Sequence, residues 1–204
     1  MTLMRAMAAG MALAVILGGT SLANPVTTDP TKVPAGTYVL DKRHASLTVK
    51  IAHMGGFSHF TMRFNGLDGQ FTYDPATWQA TKVTFNVDPK SIDTGNPPFD
   101  KQITGYFEPE KYPAITFVST GLQGGADGKG ALTGDLTFHG VTKPVTLEVT
   151  FNGEGPGISP LGARLGFSGV AHLKRTDFNL DSLILKRFTS DDLDVIFEVE
   201  FEKK

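Results

Sequence analysis

The chain has 204 residues, with 19 Lys and Arg against 21 Asp and Glu, a formal net charge of −2, and no cysteine. This composition excludes disulfides, cysteine-ligated metals and thiol nucleophiles, and it lacks the basic excess that is typical of nucleic-acid-binding proteins. Charged residues at 20% and hydrophobic residues at 40% indicate an ordered protein. The aromatic residues are 15 Phe, 4 Tyr and 1 Trp, so bulky side chains without a polar group are abundant.

The first 23 residues have the pattern of a secretory signal peptide. Arg5 precedes an apolar run over residues 6–17, and the small residues Ser21 and Ala23 stand where signal peptidase requires them. The run is shorter than the roughly 20 residues of a membrane-spanning helix, which disfavours the alternative of an uncleaved anchor. We therefore predict cleavage after Ala23 and export of a soluble product, without a membrane span, to a bacterial periplasm.

The mature chain is predicted to be a single all-β domain over residues 36–204. Residues 24–35 contain three prolines and no periodic pattern, so they are predicted to form a leader or a wrap around the fold. From Tyr38 onward, apolar residues recur at every second position in segments separated by Gly, Pro, Asn or Asp. Such alternation is typical of antiparallel strands with water on one side, and it predicts about eight strands.

One short helical insertion is predicted in the longest connection between strands, residues 88–113. We place Asp100 as its N-cap, residues 101–107 as the helix, and Pro109 as the residue that ends it. No shift in composition marks a second domain, and no repeat of 20–50 residues is visible.

A β-sandwich and a closed barrel both satisfy this alternation. Bulky Phe residues on the apolar faces alternate with Gly69, Gly134, Gly169 and Ala171, which have little or no side-chain volume. An eight-stranded barrel has just enough room for side chains or for one small ligand, so these positions would leave a void in it. A bulge or a bend at a barrel corner explains the same glycines equally well.

The sequence contains no recognisable catalytic or metal-binding motif. The five histidines form no HxxxH or HExxH pattern, and no GxSxG, GxGxxG or Walker sequence is present. His53 continues the apolar face of its strand, so a partly buried imidazole is the simplest interpretation; it is also the best single candidate for a general base. We predict no metal, no cofactor and no catalytic residue.

Arg175 stands out because it falls in phase with the apolar face of the preceding strand, which places its guanidinium inward near the strand end. A buried Arg must be paired or must bind an anion. Asp177 and Asp41 are the candidate structural partners. The functional alternative is a clamp on a polar head group at the mouth of a barrel.

Several segments resemble, in the same order along the chain, a known family. The most specific is residues 136–145, which read Leu-Thr-Phe-His-Gly-Val-Thr-Lys-Pro-Val. Weaker matches are Asp41 with His44-Ala45-Ser46, residues 53–56, residues 111–117 and residues 175–178. Over roughly residues 36–202 the chain is similar to the YceI-like periplasmic proteins. It departs from them in the helical insertion and at Asn179, where a Gly is common.

This resemblance implies an extended eight-stranded antiparallel β-barrel, lipocalin-like, with a helix packed beside it. It also implies a tunnel for a long amphiphile: a polyisoprenoid, an isoprenoid quinone or a fatty amide. A binding or carrier protein is thus the leading hypothesis, with no nucleic-acid partner. A lipid-modifying enzyme that uses His53, and a ligand-free envelope-stress protein with a fully packed barrel, stay open as alternatives, as do a monomer and a homodimer.

The predicted ligand-binding residues are the inward apolar side chains together with three polar groups near the mouth, His53, Tyr112 and Arg175. The full set is Val49, Ile51, His53, Phe64, Phe85, Tyr112, Phe117, Gly134, Phe138, Phe151, Phe167, Arg175, Phe178 and Phe197.

Overall fold

The computed structural model describes residues 26–77, 81–124, 127–156 and 162–204, so the predicted signal peptide lies outside the described residues. Within these ranges, neither helix is long and apolar enough to cross a membrane. The elements in chain order are β1 Gly36–His53, β2 Ser58–Phe64, β3 Leu67–Tyr73, β4 Val83–Val87, β5 Ile92–Asp93, α1 Pro97–Tyr106, β6 Ile115–Gly124, β7 Lys129–Phe138, β8 Val141–Pro156, β9 Ala163–Lys174, α2 Leu183–Phe188 and β10 Thr189–Lys203.

The strands form one closed antiparallel barrel. Its order is β10–β9–β8–β7–β6–β4–β3–β1, and pairing of β1 with β10 closes the ring. β3 pairs with the first residues of β1, and β2 pairs with the last ones, from Leu47 to His53. Since β2 and β3 thus continue each other along β1, they count as one strand position in the barrel. The barrel therefore has eight strand positions, which we call staves. The predicted eight-stranded barrel is confirmed, and the sandwich alternative is excluded.

Helix α1 lies beside the barrel, next to β2. One side of β2 pairs with β1, and the other side pairs with the two-residue strand β5. Ile103 is buried, and Phe107, which follows the helix, packs against Phe64 and Phe138 with ring centroids 6.1 and 5.4 Å apart. These contacts pack α1, and Phe107 after it, against the barrel.

The predicted start of α1 was wrong. Asn96 is the N-cap, its side chain accepts a hydrogen bond from the Phe99 amide, and two prolines occupy the first turn. Proline suits a first turn because its φ is already helical and its missing N–H has no partner there. Asp100 lies inside the helix and instead accepts hydrogen bonds from the amide and hydroxyl of Thr94, at 2.8 and 2.6 Å.

Helix α2 was not predicted from the sequence. It is only six residues long, and the Ser182 hydroxyl caps it by accepting from the Leu185 amide. Six residues are too few to show helical periodicity. The helix leads directly into β10 at Thr189, which pairs with His53 at the end of β1.

The described part of the leader packs on the opposite end of the barrel, where β1 begins. The amides and carbonyls of Thr27 and Glu154 exchange hydrogen bonds at 2.9 and 2.7 Å. The hydroxyls of Tyr38 and Tyr73 donate to the carbonyls of Pro34 and Pro30, and the Val33 side chain is buried. The leader and α2 therefore lie at opposite ends of β1, which is 18 residues long.

Candidate functional site

The barrel encloses a cavity of about 980 Å³. Small-molecule sites commonly measure roughly 300–1,000 Å³, so this cavity is large enough for an extended ligand. All eight staves contribute inward side chains to its wall, and most of these side chains are aliphatic or aromatic. The interior is hollow, which argues against the alternative of a fully packed barrel.

Twelve of the fourteen predicted ligand-binding residues lie in the cavity wall. The period-two alternation placed the strand residues there because inward and outward positions alternate along each stave. The twelve are Val49, Ile51, His53, Phe64, Phe85, Phe117, Phe138, Phe151, Phe167, Arg175, Phe178 and Phe197.

The wall also contains residues that the prediction omitted. Leu47, Leu132 and Leu193 stand in the same strand phase as the predicted ones, so the alternation alone could have found them. The residues from the helices could not be found in this way. Those contributions are Phe99, Gln102, Ile103 and Tyr106 of α1, and Ile184, Leu185 and Phe188 of α2.

The inward glycines do not leave voids, contrary to our expectation. A Cβ at Gly69 would lie 2.7 Å from Cδ2 of Phe85 on the neighbouring strand. Gly169 is paired directly with Phe197, whose ring occupies the place of a Cβ at position 169. The glycines accommodate Phe rings against the barrel wall, and the space that remains open is the lumen beyond those rings.

Gly134 was predicted as a ligand-binding residue, but the structure places it outside the cavity wall. A Cβ at Gly134 would collide with the ring of Phe117 and would lie 2.6 Å from the carbonyl oxygen of Val118. Because the Phe117 ring covers it, Gly134 is buried and is not part of the cavity wall. Phe117 itself does line the cavity.

Tyr112 also lies outside the cavity. Its ring packs edge-on against His139, with ring centroids 4.7 Å apart, and a Cβ at Gly140 would lie 2.5 Å from Cε1 of Tyr112. His139 and Gly140 form the β7–β8 turn with φ of 49° and 76°, and His139 Nδ1 lies 3.1 Å from the Phe178 carbonyl oxygen. The structure thus places Tyr112 against the β7–β8 turn and not in the cavity wall.

Arg175 lies in the cavity wall and is only 6% exposed. Its Nε donates to the carbonyl of Ser190 at 3.0 Å, and Nη1 donates to the carbonyl of Leu180 at 2.5 Å. Both predicted carboxylate partners were wrong, because Asp177 pairs with Lys143 and Asp41 pairs with Arg164. The guanidinium is therefore held by backbone carbonyls beside an apolar cavity.

The carboxyl of Asp191 is close enough to Arg175 to be affected by its charge. Burial acts to raise the pKa of Asp191, but hydrogen bonds from the amide and hydroxyl of Thr176, together with the Arg175 charge, lower it. Asp191 is thus an anion near the guanidinium at this end of the cavity.

His53 ends β1 and lies in the cavity wall beside α2, with its ring 6.4 Å from that of Phe188. Among the described residues, no carboxylate forms an ion pair with His53, and no group of three His, Asp or Glu side chains has a metal-binding arrangement. The structure therefore brings His53 to the cavity without a partner that would mark it as a general base.

Polar groups of the wall lie toward both ends of the cavity, and more of them lie at the α2 end. At the leader end, the wall beside Pro30 and Val33 includes Thr31, Tyr73, Thr81 and Lys129. The middle of the wall is apolar, which suits the chain of an amphiphile with its head group at one end. The polar wall residues at the α2 end are His53, Ser58, His59, Gln102, Lys174, Arg175 and Thr189.

The chain is similar to known proteins over almost the whole barrel. The family model of the YceI-like domain matches residues 38–201. A UPF0312 protein of Vibrio cholerae is 36% identical over 171 residues, which cover 81% of this chain and 89% of the relative. A UPF0312 protein of Pseudomonas syringae is 39% identical over 170 residues, which cover 80% and 86% of the two chains.

Solved structures share the fold. BcnA of Burkholderia cenocepacia superposes with a TM-score of 0.69 at 24% identity, covering 79% of this chain and 98% of BcnA. A domain of Saccharophagus degradans, described as polyisoprenoid-binding, gives a TM-score of 0.60 at 20% identity, with 82% and 98% coverage. The barrel, the match of the family model and the sequence relatives agree, and the chain belongs to the YceI-like family.

Proposed function

We propose that the protein is a binding or carrier protein for a long-chain amphiphile, a polyisoprenoid or an isoprenoid quinone, held in the barrel cavity. The observation that carries this proposal is the apolar cavity of about 980 Å³ inside a closed barrel. The similarity to a domain described as polyisoprenoid-binding supports the same class of ligand, and it favours a binding protein over an enzyme. A fatty amide is a third candidate ligand, since it also joins a long apolar chain to a polar head group.

The binding free energy would come from the apolar chain. Burial of each CH₂ group contributes about 0.8 kcal/mol, so ten of them contribute roughly 8 kcal/mol. That equals the free energy of a complex with a micromolar Kd, before the cost of immobilising the ligand. A longer isoprenoid chain can therefore bind without any polar contact.

The α2 end of the cavity, where Arg175 and His53 lie, would select the head group. Among the wall residues that the structure describes, Arg175 alone combines a permanent charge with near-complete burial. A carbonyl or phosphate oxygen near its guanidinium would gain a charge-assisted hydrogen bond in a site that excludes most water. His53 lies at the same end and would supply a second polar contact.

We place this activity in the periplasm, after removal of residues 1–23. The apolar run and the small residues before position 24 support export. The aqueous periplasm separates two membranes, so a hydrophobic molecule that leaves either membrane needs a carrier with an apolar cavity.

The direct test is native mass spectrometry of the protein purified from its own envelope, followed by organic extraction of bound molecules. We expect an added mass that extracts as a single class of long-chain lipid. Val195→Trp should abolish it, because Val195 lines the lumen midway along β10, between Val49 and Ala171 of the neighbouring strands.

Ile196→Trp is the matched control. Ile196 is the next residue of the same strand, outside the cavity wall, so the same large side chain points away from the lumen. Equal ligand occupancy in the two variants would contradict binding in the cavity. A wild-type protein that carries no lipid and takes up no isoprenoid quinone from detergent would also contradict the proposal.

A further inference from the structure

The exposed large hydrophobic side chains are unevenly distributed over the molecule. Among the described residues there are seven of them, and six lie at the α2 end of the barrel. The most exposed are Phe57 at 87% and Leu183 at 85%, while the seventh, Val26, belongs to the leader at the other end. We call the six residues the mouth rim: Met54, Phe57, Phe99, Leu183, Ile184 and Phe188.

The mouth rim comes from three connected elements. Met54 and Phe57 belong to the β1–β2 connection, which contacts α2. Phe188 of α2 lies beside His53 at the end of β1, and Phe99 of α1 packs edge-on against Phe60 of β2 at 5.4 Å. Exposed apolar patches of this kind mark interaction surfaces.

The mouth rim is continuous with the interior of the barrel. Phe99, Ile184 and Phe188 are each exposed to solvent and also part of the cavity wall. An apolar molecule that leaves the cavity on this side can therefore remain in contact with apolar side chains up to the outer surface.

Two cations stand next to the most exposed apolar residues of α2. Lys186 and Arg187 follow Leu183 and Ile184 in the same helix, and the Arg187 guanidinium lies 5.5 Å from the centre of the Phe188 ring. Apolar and aromatic side chains beside Lys and Arg are the composition of segments that lie in the membrane–water interface. Long basic side chains can keep their charge at the lipid head groups while their stems contact apolar groups.

We propose that the mouth rim docks on the surface of a lipid bilayer, so that the cavity opens directly into the membrane. The inference rests on the proposed function, since it explains how a ligand insoluble in water enters the cavity. The bilayer is favoured over a second copy of the chain because a partner seated on the mouth rim would close the apolar path that joins the cavity to the surface.

The test is flotation of the exported protein with vesicles of phosphatidylethanolamine and phosphatidylglycerol in a 3:1 ratio. Mass spectrometry first verifies that residues 1–23 are absent, because an uncleaved leader would bind vesicles by itself. Wild-type protein is expected to float with the vesicles. Phe57→Ser combined with Leu183→Ser should lower the ratio of bound to free protein at least tenfold.

Val26→Ser is the control, since it removes an apolar side chain that is 59% exposed at the opposite end of the barrel. Its flotation should stay within twofold of wild type. The proposal is overturned if wild-type protein does not float, if the double variant floats equally well, or if Val26→Ser loses as much. It is also overturned if wild type sediments as a dimer that the double variant converts to a monomer, because the rim then joins two copies.

Failure of docking and failure of the proposed function are distinguishable. Neither Phe57 nor Leu183 lines the cavity, so the double variant loaded with isoprenoid quinone from detergent should reach the wild-type occupancy by native mass spectrometry. Loss of flotation with unchanged occupancy supports docking by the mouth rim. If the protein floats but never carries lipid, the result supports docking and contradicts the proposed carrier function.

Discussion

Gly169 and Phe197 face each other across β9 and β10, and the ring fills the space that a side chain at position 169 would need. The closest contacts that a Cβ at Gly169 would make are all to atoms of this ring. At Gly134, in contrast, a backbone carbonyl is also close. The Gly169 pair therefore isolates the interaction between a glycine and a cross-strand Phe.

We expect Gly169→Ala to lower the free energy of unfolding by about 1–3 kcal/mol, because the added methyl group forces Phe197 away from the wall. Phe197→Leu removes the ring edge that causes the collision. The loss of unfolding free energy in the double variant should be smaller than the sum of the losses in the two single variants. Urea unfolding of wild type and the three variants measures this coupling. Additive losses would show that Gly169 is needed for its backbone and not for the ring.

Asp41 stabilises an irregular segment of strand β1. The register of β1 against β10 shifts between Leu40 and Ala45, and Asp41 lies in this irregular segment. Its carboxylate accepts from the amide of Arg43 at 3.0 Å, lies 2.7 Å from His44 Nδ1, and lies 3.0 Å from Nη1 of Arg164 on β9. The carboxylate thus links the bulge of β1 to a strand on the far side of β10.

Burial acts to raise the pKa of Asp41, but the hydrogen bonds from His44 and Arg43 outweigh it and hold that pKa well below the ordinary range. A lowered folded-state pKa means that the stabilisation is complete above the unfolded-state pKa of about 3.9 and declines as the pH falls below it. Each unit of pH in this acid range removes up to about 1.4 kcal/mol.

Asp41→Asn should therefore lower the free energy of unfolding at pH 7, by roughly 3 kcal/mol for loss of one partner of a buried ion pair. The difference from wild type should shrink as the pH falls below about 4, where the wild-type carboxylate loses its advantage. Urea unfolding at several pH values checks this. Asp135→Asn, at an exposed position of β7, is the control, and an equal effect there would refute the role of Asp41.

At the scale of the whole molecule, the hollow barrel couples ligand binding to stability. A lipid that binds the folded barrel alone adds about 2.7 kcal/mol of stability at a concentration of 100 times its Kd. For a domain of this size, 1 kcal/mol shifts Tm by about 2–4 °C. Removal of bound lipid on a hydrophobic resin should accordingly lower Tm by roughly 5–10 °C.

Adding the extracted lipid back should restore the original Tm in calorimetry. The Val195→Trp variant should show neither the loss nor the recovery, because its indole obstructs the middle of the lumen. A Tm that does not respond to lipid in the wild-type protein would mean that the cavity binds no such molecule tightly.

Period-two alternation along the chain is sufficient by itself to determine the all-β class and most of the lumen-facing residues. Each stave needs an apolar side toward the lumen and a polar side toward water, so residues such as Val49, Phe85 and Phe151 were assigned to the correct face. The same local rule could not distinguish a void from a filled position. Whether Gly134 faces open space depends on the Phe117 ring of the neighbouring strand, which the pattern within one strand does not contain.

Tertiary structure decided everything that depends on contacts between distant segments. Arg175 is close to Asp177 in sequence, yet it donates to the carbonyls of Ser190 and Leu180, because the chain returns through α2 to place them there. Tyr112 packs against His139 of the β7–β8 turn and does not line the cavity. The mouth rim joins the β1–β2 connection to α2, segments far apart in sequence, and only closure of β1 on β10 brings them to one end. Burial and periodicity are local in sequence, whereas a binding site is formed where separate strands and helices meet.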